Sequence, residues 1–291
     1  IIEKIQKEGL VFDGAMGSML IRKGITGGEA PELWNIEHPD IIMDIHKAYY
    51  KAGADVASAN TYGASAINLK KMGVTQSVEE INRTGVRIAR QACGKDQYVV
   101  GELGSLGDML QPMGPVSFDK AVDCFAHQAG FLEDEGVDAF LIETIFDINI
   151  ALAAIKAVRS LSEKPVFCCL TFKKMEKGFF TIFGNNPEDS MRPLVDAGAF
   201  AVGANCSIGS KTMIDLACDI KKSVDAPIII MPNAGMPKTA KDNAVFYPED
   251  EAFFADSIKE IKELGVEIVG GCCGTTPSYI KKIKEIIERG V

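Results

Sequence analysis

Histidine is scarce in this chain, and several common metal and cofactor signatures are missing altogether. His38, His46 and His127 are its three histidines, and all fall on predicted helices or loops, so we expect no imidazole cage for a metal. No two cysteines have the C-x-x-C spacing of zinc knuckles or redox couples. No Gly-x-Gly-x-x-Gly run follows the first predicted strand, which disfavours a dinucleotide-binding open sheet.

Long apolar runs and an excess of basic residues are also missing. No apolar run approaches the roughly 20 residues that span a membrane, and charges interrupt residues 1–10, so no signal peptide is predicted. The net charge of −9 should repel phosphate backbones and anionic lipid. Eight cysteines without a secretory signal indicate reduced thiols. We therefore expect a cytoplasmic protein with no nucleic-acid partner and no membrane contact.

No low-complexity segment or long linker divides the chain, so residues 1–291 are predicted to form one domain. An apolar content of 47% and a charged content of 24% are typical of a globular protein with a large core. The chain begins at Ile1 rather than methionine and stops at Val291, directly after a helical pattern. We therefore expect trimmed ends or a module of a longer polypeptide.

Short apolar strands alternate with amphipathic helices along the whole chain. Eight strands are predicted, at Leu10–Phe12, Asp55–Ala59, Tyr98–Gly101, Ala139–Ile142, Val166–Leu170, Ala199–Ala204, Ile228–Met231 and Glu267–Gly270. Helices are predicted at Pro39–Lys51, Val78–Ala92, Phe118–Glu135, Ile148–Leu161, Met213–Ser223, Asp250–Leu264 and Pro277–Arg289. This alternation predicts an α/β fold, a (β/α)8 TIM barrel. An open doubly wound sheet is the weaker alternative.

Two adjacent cysteines, Cys272 and Cys273, lie between glycines directly after the eighth predicted strand. Neighbouring residues on a strand point to opposite faces, so both thiols reach one centre only if the strand has ended and the backbone turns. The flanking glycines permit such a turn. A third thiol, Cys206, follows the sixth strand. Three thiols at strand ends suggest a zinc ion with one position left open, whereas we expect the other five cysteines to be buried as small apolar side chains.

The all-sulfur ligand set restricts the chemistry of such a centre. Three thiolates leave zinc with a net negative charge, which makes it a poor Lewis acid for hydrolysis but suits a fourth thiol held as a nucleophilic thiolate. Alkylation of a bound substrate thiol is therefore the favoured reaction. At rest, we expect the amide oxygen of Asn233, or a water, to fill the fourth position; a turn-forming asparagine is an equal alternative.

Barrel enzymes carry their chemistry at the carboxyl ends of the strands, and here those ends are polar throughout. The candidates beside the thiols are Asp13, Asn60, Glu102, Glu143, Thr171, Asn205 and Asn233. The ring predicts a site for a small polar substrate, although a lone polar residue after a strand is usually a cap or turn former. For an amino-acid thiol, Asp13 and Glu143 suit the ammonium group. The backbone amides of Gly14 and Ala15 suit the carboxylate.

Seven motifs follow the strands in turn along the chain. They are Asp13-Gly14-Ala15-Met16-Gly17, Asn60-Thr61-Tyr62, Gly101-Glu102-Leu103-Gly104, Glu143-Thr144, Gly203-Ala204-Asn205-Cys206, Pro232-Asn233-Ala234-Gly235 and Gly270-Gly271-Cys272-Cys273-Gly274-Thr275-Thr276-Pro277. Together they resemble the zinc-dependent homocysteine S-methyltransferase domain over nearly the whole chain. The resemblance implies that Cys206, Cys272 and Cys273 hold zinc and that homocysteine sulfur completes its shell. It also implies that Asp13, Glu143 and the backbone of Gly14 and Ala15 bind the amino-acid end.

Members of that family differ in their methyl donor. The run Asn205-Cys206-Ser207-Ile208-Gly209 is most similar to the cobalamin-dependent methionine synthases, in which this domain is the N-terminal module. That similarity implies methylcobalamin bound by another module and methyltetrahydrofolate as the ultimate donor. The implied partners are homocysteine and the folate- and cobalamin-binding modules of the same longer chain. A free-standing betaine- or S-methylmethionine-dependent enzyme is the alternative, and a non-catalytic zinc-stabilised barrel that binds a thiol is a further one.

Overall fold

A computed structural model, which describes residues 1–240 and 245–288, shows eight parallel strands closed into a barrel. Numbered along the chain, they are β1 Leu10–Val11, β2 Val56–Ser58, β3 Tyr98–Leu103, β4 Ala139–Ile145, β5 Val166–Leu170, β6 Ala201–Gly209, β7 Ile228–Asn233 and β8 Ile268–Val269. Each strand pairs with the next, and β8 pairs with β1. A parallel bridge between Phe12 and Val56 joins β1 to β2 and closes the ring. The predicted (β/α)8 barrel is confirmed.

Helices surround the barrel and fill the connections between its strands. In chain order they are α1 Ile2–Lys7, α2 Met16–Lys23, α3 Trp34–Glu37, α4 Pro39–Lys51, α5 Ala66–Lys71, α6 Val78–Ala92, α7 Phe118–Asp134, α8 Ile148–Arg159, α9 Pro187–Asp196, α10 Ser210–Ser223, α11 Glu251–Glu263 and α12 Pro277–Glu288. A 3-10 turn spans Pro31–Leu33, and two hairpins pair Lys173–Met175 with Gly178–Phe180 and Lys238–Thr239 with Val245–Phe246. None of the helices within the described ranges has the length and apolar character needed to cross a bilayer.

The side chains of each strand alternate between two apolar cores. In β3, Val100 points into the barrel with Phe12 and Leu141, whereas its neighbour Val99 packs against the outer helices. The same alternation buries both cysteines of β5, since Cys169 lies in the barrel interior and Cys168 lies under the helices. Period-two alternation is what a sheet covered on both faces requires.

Four strands run further than the sequence pattern predicts. These strands are β3, β4, β6 and β7, and each continues two to five residues past its predicted end. The polar residues that were expected after these strands therefore lie within their last few residues. The reason is that backbone hydrogen bonding continues while the side chains change from apolar to polar at the barrel mouth. Glu102, Glu143, Asn205, Cys206 and Asn233 are therefore carried on rigid strand ends.

All seven predicted helices are present, and their described ends differ from the predicted ones by at most three residues. Five further helices, α1, α2, α3, α5 and α9, are not among those predicted. α9 is not indicated by the sequence, because Pro193 lies inside it and such a residue disfavours an interior helical position. α10 begins at Ser210, three residues before its predicted start. The predicted end of the last helix at Arg289 lies outside the described residues.

The close approach of β6 and β7 generates a stability prediction. A Cβ atom at Gly203 would lie 1.8 Å from the carbonyl oxygen of Ile229 on the neighbouring strand. We expect Gly203→Ala to lower the free energy of unfolding by about 1–3 kcal/mol, as overpacked cores do. Gly130→Ala is the control, because nothing lies within 4 Å of its added Cβ. Urea unfolding of both variants measures the difference, and equal stabilities would contradict this packing.

Candidate active site

The three predicted zinc thiols come together at the mouth of the barrel. The sulfur atoms of Cys206, Cys272 and Cys273 all lie within 4.8 Å of one another, and those of Cys206 and Cys273 are 3.9 Å apart. Three sulfurs bound to one tetrahedral zinc at about 2.3 Å would be separated by about 3.8 Å. In the part of the chain that the structure describes, this is the one cluster of three metal-ligating side chains. Its donor set fits zinc.

The adjacent cysteines reach one centre because β8 ends at Val269, before them. Cys272 donates its backbone N–H to the carbonyl of Pro232 at 2.8 Å, and the carbonyl of Cys273 accepts from the N–H of Ala234 at 2.9 Å. These two bonds fasten the cysteine turn to the end of β7. Gly274 follows in the left-handed region with a φ of 87°, where the Tyr247 ring leaves no room for a side chain.

Cys206 is brought to the same centre by an irregular strand end. The pairing register of β6 shifts between Asn205 and Gly209, and both Cys206 and Ser207 have a φ of 60°. The register of β4 also shifts between Ile142 and Ile145, where Thr144 has a φ of 57°. Such bulges turn a side chain away from its regular direction. A left-handed conformation in residues other than glycine is strained and persists only where surrounding contacts hold it.

The side chain of Asn205 supplies those contacts between the two irregular strands. Its Oδ1 accepts the backbone N–H of Thr144 at 2.8 Å, and its Nδ2 donates to Thr144 Oγ1 at 2.8 Å and to Glu143 Oε2 at 3.0 Å. The same Nδ2 lies 3.8 Å from the sulfur of Cys272. Asn205 is fully buried. It therefore positions Glu143 and the thiol cluster relative to each other.

The ionisation of the thiols is coupled. Hydrogen bonds from Cys206 and Cys272 lower the pKa of Cys273 to about 3. Hydrogen bonds with its two partners raise the pKa of Cys272 well above its ordinary range. The pKa of Cys206 rises to about 12, because the bond with Cys272, which lowers it, is outweighed by the bond with Cys273 and by burial. At neutral pH the cluster alone therefore holds one thiolate, and a cation is needed to ionise the other two.

Asn233 lies beside the thiols, as its position after β7 predicts. Its side chain is 3% exposed, and its Oδ1 is buried with no hydrogen-bond partner among the described residues. A buried acceptor without a partner is costly, and a metal ion is one of the groups that can satisfy it. Its chain neighbours Pro232 and Ala234 are those bonded to Cys272 and Cys273. The residue thus fits a resting fourth ligand, which stays a prediction.

Three carboxyl groups line the site without a basic partner. Asp13 accepts hydrogen bonds from the backbone N–H and the hydroxyl of Ser58, at 3.0 Å and 3.3 Å. Burial, opposed by these bonds and reinforced by the charge of Glu143, raises the pKa of Asp13 to about 8. Burial also raises the pKa of Glu102 and Glu143, and a hydrogen bond between them keeps the proton on Glu102. No lysine or arginine among the described residues offsets these charges, so the site favours a cationic ligand.

The Gly14–Ala15 turn lies against the cysteine motif. A Cβ on Gly14 would lie 2.6 Å from Thr275 Oγ1 and 3.0 Å from the Tyr49 ring, so only glycine fits there. Ala15 donates its N–H to Thr275 Oγ1 at 3.2 Å, and Thr275 Oγ1 in turn donates to the carbonyl of Cys272 at 2.7 Å. The amide of Ala15 is therefore already used, which leaves Gly14 as the better candidate of the two for a substrate carboxylate.

The side chain of Asn60 forms its hydrogen bonds with the segment around the 3-10 turn and not with the thiols or the carboxyl groups. Its Nδ2 donates to the carbonyl of Pro31 and to Asn35 Oδ1, both at 2.9 Å, and Asn35 returns a bond to the Asn60 carbonyl at 2.8 Å. These bonds hold the segment around the 3-10 turn against the barrel. A substrate-binding role for Asn60 stays a prediction.

Several residues that contact the site are not predicted from the sequence. Two of them, Thr144 and Thr275, belong to the motifs quoted above. Thr144 directly follows Glu143, and Thr275 lies two residues after Cys273, so their positions in the sequence could have indicated a place in the site. The sequence carries no such signal for Ser58, which lies inside β2, or for Tyr49, which lies within the apolar pattern of α4. Their roles depend on which elements the fold brings together.

Comparisons with known proteins agree with this geometry. The family model described as homocysteine S-methyltransferase matches residues 10–287. The chain belongs to that family. Methionine synthases from Mycobacterium leprae and Mycobacterium tuberculosis are each 28% identical, over 99% and 97% of this chain. The chain covers 25% of the length of both, so it spans about a quarter of these relatives.

Solved structures confirm the fold. The metallated form of the homocysteine methyltransferase MmuM from Escherichia coli superposes with a TM-score of 0.81 at 20% identity, covering 98% of each chain. Its apo form gives a TM-score of 0.74 at 21% identity, covering 98% of this chain and 97% of that one. The sequence-based assignment to the family is confirmed by the family model, which matches residues 10–287.

The carboxyl groups generate a pH prediction for the metal-free protein. Folded Asp13 keeps its proton up to about pH 8, whereas the unfolded chain releases it near pH 4. Between these values the folded state binds the extra proton, so stability falls as pH rises through this window. We expect Asp13→Asn to remove part of that fall, measured by urea unfolding at about pH 5 and about pH 8.5. Asp123→Asn, at an exposed position of α7, is the control; a wild-type pH dependence in Asp13→Asn would show that Asp13 is ionised when folded.

Proposed function

We propose that this protein is a zinc-dependent methyltransferase that converts homocysteine to methionine. The observation that carries the proposal is the cluster of three thiols beside buried carboxyl groups that lack a basic partner, at the mouth of a barrel of the homocysteine S-methyltransferase family. Thiols suit a metal that accepts a sulfur substrate, and carboxylates suit the ammonium group of an amino acid. Few substrates other than an amino-acid thiol match both halves of the site.

Cys206, Cys272 and Cys273 would hold the zinc, with Asn233 as the resting fourth ligand. These residues would hold the ion where it could bind the homocysteine thiol and lower its pKa, so that the thiol proton would pass to solvent and the sulfur would stay nucleophilic. The turn after β8 and the irregular end of β6 bring the three sulfurs within 4.8 Å of one another, which supports a single ion shared by all three. Asn205 connects the thiol cluster to Glu143, the proposed partner of the substrate ammonium group.

The opposite side of the site would bind the amino-acid end of homocysteine. Asp13 and Glu143 would accept the ammonium hydrogens, and the arriving positive charge would lower the raised pKa of both groups. Burial raises the pKa of both Glu102 and Glu143, and their mutual interaction raises that of Glu102 further while lowering that of Glu143, so the proton is held mainly by Glu102. The Gly14 amide would donate to the substrate carboxylate.

The transfer itself is a displacement at a methyl carbon. The homocysteine sulfur attacks that carbon, a sulfur–carbon bond forms, and the bond from carbon to the donor breaks. The electron pair of the broken bond leaves with the donor. Because the thiol proton has already been lost on binding, no general base is needed during the transfer step. Positioning of the sulfur toward the donor is then the main contribution of the protein.

For the donor, we propose methylcobalamin carried by another module of a longer chain, with methyltetrahydrofolate as the ultimate source. One observation supports this, since the relatives described as methionine synthases are about four times as long as this chain. The resemblance of the Asn205–Gly209 run, given with the sequence, points to the same donor. The alternative is a free-standing enzyme that uses betaine or S-methylmethionine. The similarity to MmuM, a homocysteine methyltransferase, is compatible with that alternative. A zinc-stabilised barrel that binds a thiol without catalysis is the third candidate.

A donor assay tests the function directly. We expect zinc-loaded protein to form methionine from homocysteine and methylcobalamin, and to form little with betaine or S-methylmethionine. Cys272→Ser should lose zinc and lower turnover by more than about 100-fold, because even substitutions behind a metal ligand cost about 10–100-fold. Mass spectrometry of methionine and metal analysis measure both effects.

Cys218→Ser provides the matched control, since Cys218 lies on α10 outside the cluster. It should keep zinc and activity. Retention of zinc and full activity in Cys272→Ser would contradict the ligand assignment. Zinc binding in the wild type without methionine from any donor would support the non-catalytic alternative, and turnover with betaine or S-methylmethionine alone would identify the free-standing enzyme.

A further inference from the structure

Two of the three clustered thiols meet a hydrogen-bond donor from outside the cluster at the end of β6. The side-chain amide of Asn205, which is fully buried, donates to the Cys272 sulfur at 3.8 Å. The Cys206 sulfur accepts the backbone N–H of Ser207, the next residue of the same irregular strand end. Both donors are fixed by the fold, since one belongs to a buried side chain and the other to the backbone.

The third sulfur, that of Cys273, has its donor on a separate segment of the chain. The hydroxyl of Tyr247 forms a hydrogen bond with the Cys273 sulfur. The Tyr247 ring lies directly over the cysteine turn, because a Cβ atom added to Gly274 would collide with its Cγ atom. With this phenol, every thiol of the cluster has a hydrogen-bond donor that is not itself a thiol.

Glu249 holds the segment that carries Tyr247 against the ends of β6 and β7. Its Oε2 accepts the backbone N–H of Ser210 at 3.1 Å and the Ser210 hydroxyl at 2.7 Å, directly after β6. Its own backbone N–H donates to the carbonyl of Ala234 at 3.1 Å, and Ala234 in turn donates to the Cys273 carbonyl. These bonds tie the segment to the two strand ends that position the thiols, so the phenol stays beside the cluster.

A hydrogen-bond donor changes how readily a thiolate reacts with a methyl group. The intrinsic nucleophilicity of a thiolate falls as its basicity falls, and a donor to the sulfur lowers that basicity. The three clustered cysteines are each partly exposed, so a methyl donor in the site could reach them. The thiolate is the form of cysteine that binds a metal, and methylation would leave an uncharged thioether in its place. The site therefore needs a feature that separates the ligand sulfurs from the substrate sulfur.

We propose that the Tyr247 hydroxyl lowers the reactivity of the Cys273 sulfur, so that a methyl donor reacts with the substrate sulfur and not with this ligand. This inference rests on the proposed function and assigns a specificity-determining residue to the same site. The donors to Cys206 and Cys272 act on those sulfurs in the same way. The substrate sulfur enters from solution and meets none of these three donors, because each is already bonded to a cysteine. It therefore stays the most nucleophilic sulfur of the site.

Methylation by a small electrophile tests this role without substrate. Zinc-loaded protein free of homocysteine is treated with methyl iodide, and peptide mass spectrometry measures methylation at each cysteine. A sulfur electron pair forms the bond to the methyl carbon, and iodide leaves with the electron pair of the broken carbon–iodine bond. Tyr247→Phe keeps the ring over Gly274 and removes only the donor, so Cys273 should be methylated about 3–10-fold faster than in the wild type. Zinc content, measured before treatment, should not change.

Tyr50→Phe is the matched control, because the Tyr50 hydroxyl donates to the Tyr98 carbonyl at 2.7 Å, at the opposite end of the barrel. This variant should methylate Cys273 at the wild-type rate. Cys218, which is partly exposed on α10, provides a reference thiol within each sample, and its rate should be the same in all three proteins.

Other outcomes overturn the inference. An unchanged rate at Cys273 in Tyr247→Phe, with zinc retained, would remove the role of the phenol and leave the proposed function standing. Loss of zinc from this variant would also overturn it, because the phenol would then serve metal binding and not the choice of sulfur. A parallel rise at Cys218 would attribute the faster reaction to a loosened fold. A wild type that binds no zinc, or that forms no methionine with any donor, would overturn the proposed function and this inference with it.

Discussion

The crowding of three thiols around one point is the constraint on which the rest of this site depends. Sulfur atoms within 4.8 Å of one another cannot all be thiolates unless a cation lies between them. The chain provides no such cation from its own described residues, and its buried Asn233 oxygen faces no donor there either. A bound metal ion, as proposed, would account for both observations. In the same way, the ammonium group of the proposed substrate would supply a positive charge to the buried carboxyl groups.

Backbone strain is concentrated at the ends of β4 and β6, beside the thiol cluster. In a regular strand Cys206 would point toward the outer helices, as Val202 and Ala204 do, and the irregular end of β6 turns it toward the barrel mouth. The left-handed conformations of Thr144 and Cys206 are each unfavourable by about 1–3 kcal/mol. The buried hydrogen bonds of Asn205 offset this cost. The Asn205 side chain thereby connects the thiol cluster to the carboxyl group of Glu143.

The sequence predicts the architecture well, because strand and helix periodicities are local properties. It also predicts Cys206, Cys272 and Cys273 as a cluster, since glycines and strand ends fix where they lie. It does not predict that β4 and β6 continue through bulges, because Thr144 and Cys206 are not residues that favour a positive φ. Nor does it reveal the contacts between distant elements, such as Ser58 with Asp13 or Ala15 with Thr275. Those depend on the closed barrel.

X-ray absorption at the zinc edge tests the central claim most directly, because it counts the sulfur atoms bound to the metal. The three clustered thiols and the unpaired Asn233 oxygen predict three sulfurs and one lighter atom around zinc at rest. Homocysteine should replace the lighter atom and give four sulfurs. A shell that still holds three sulfurs when homocysteine is bound would contradict activation of the substrate as a zinc thiolate.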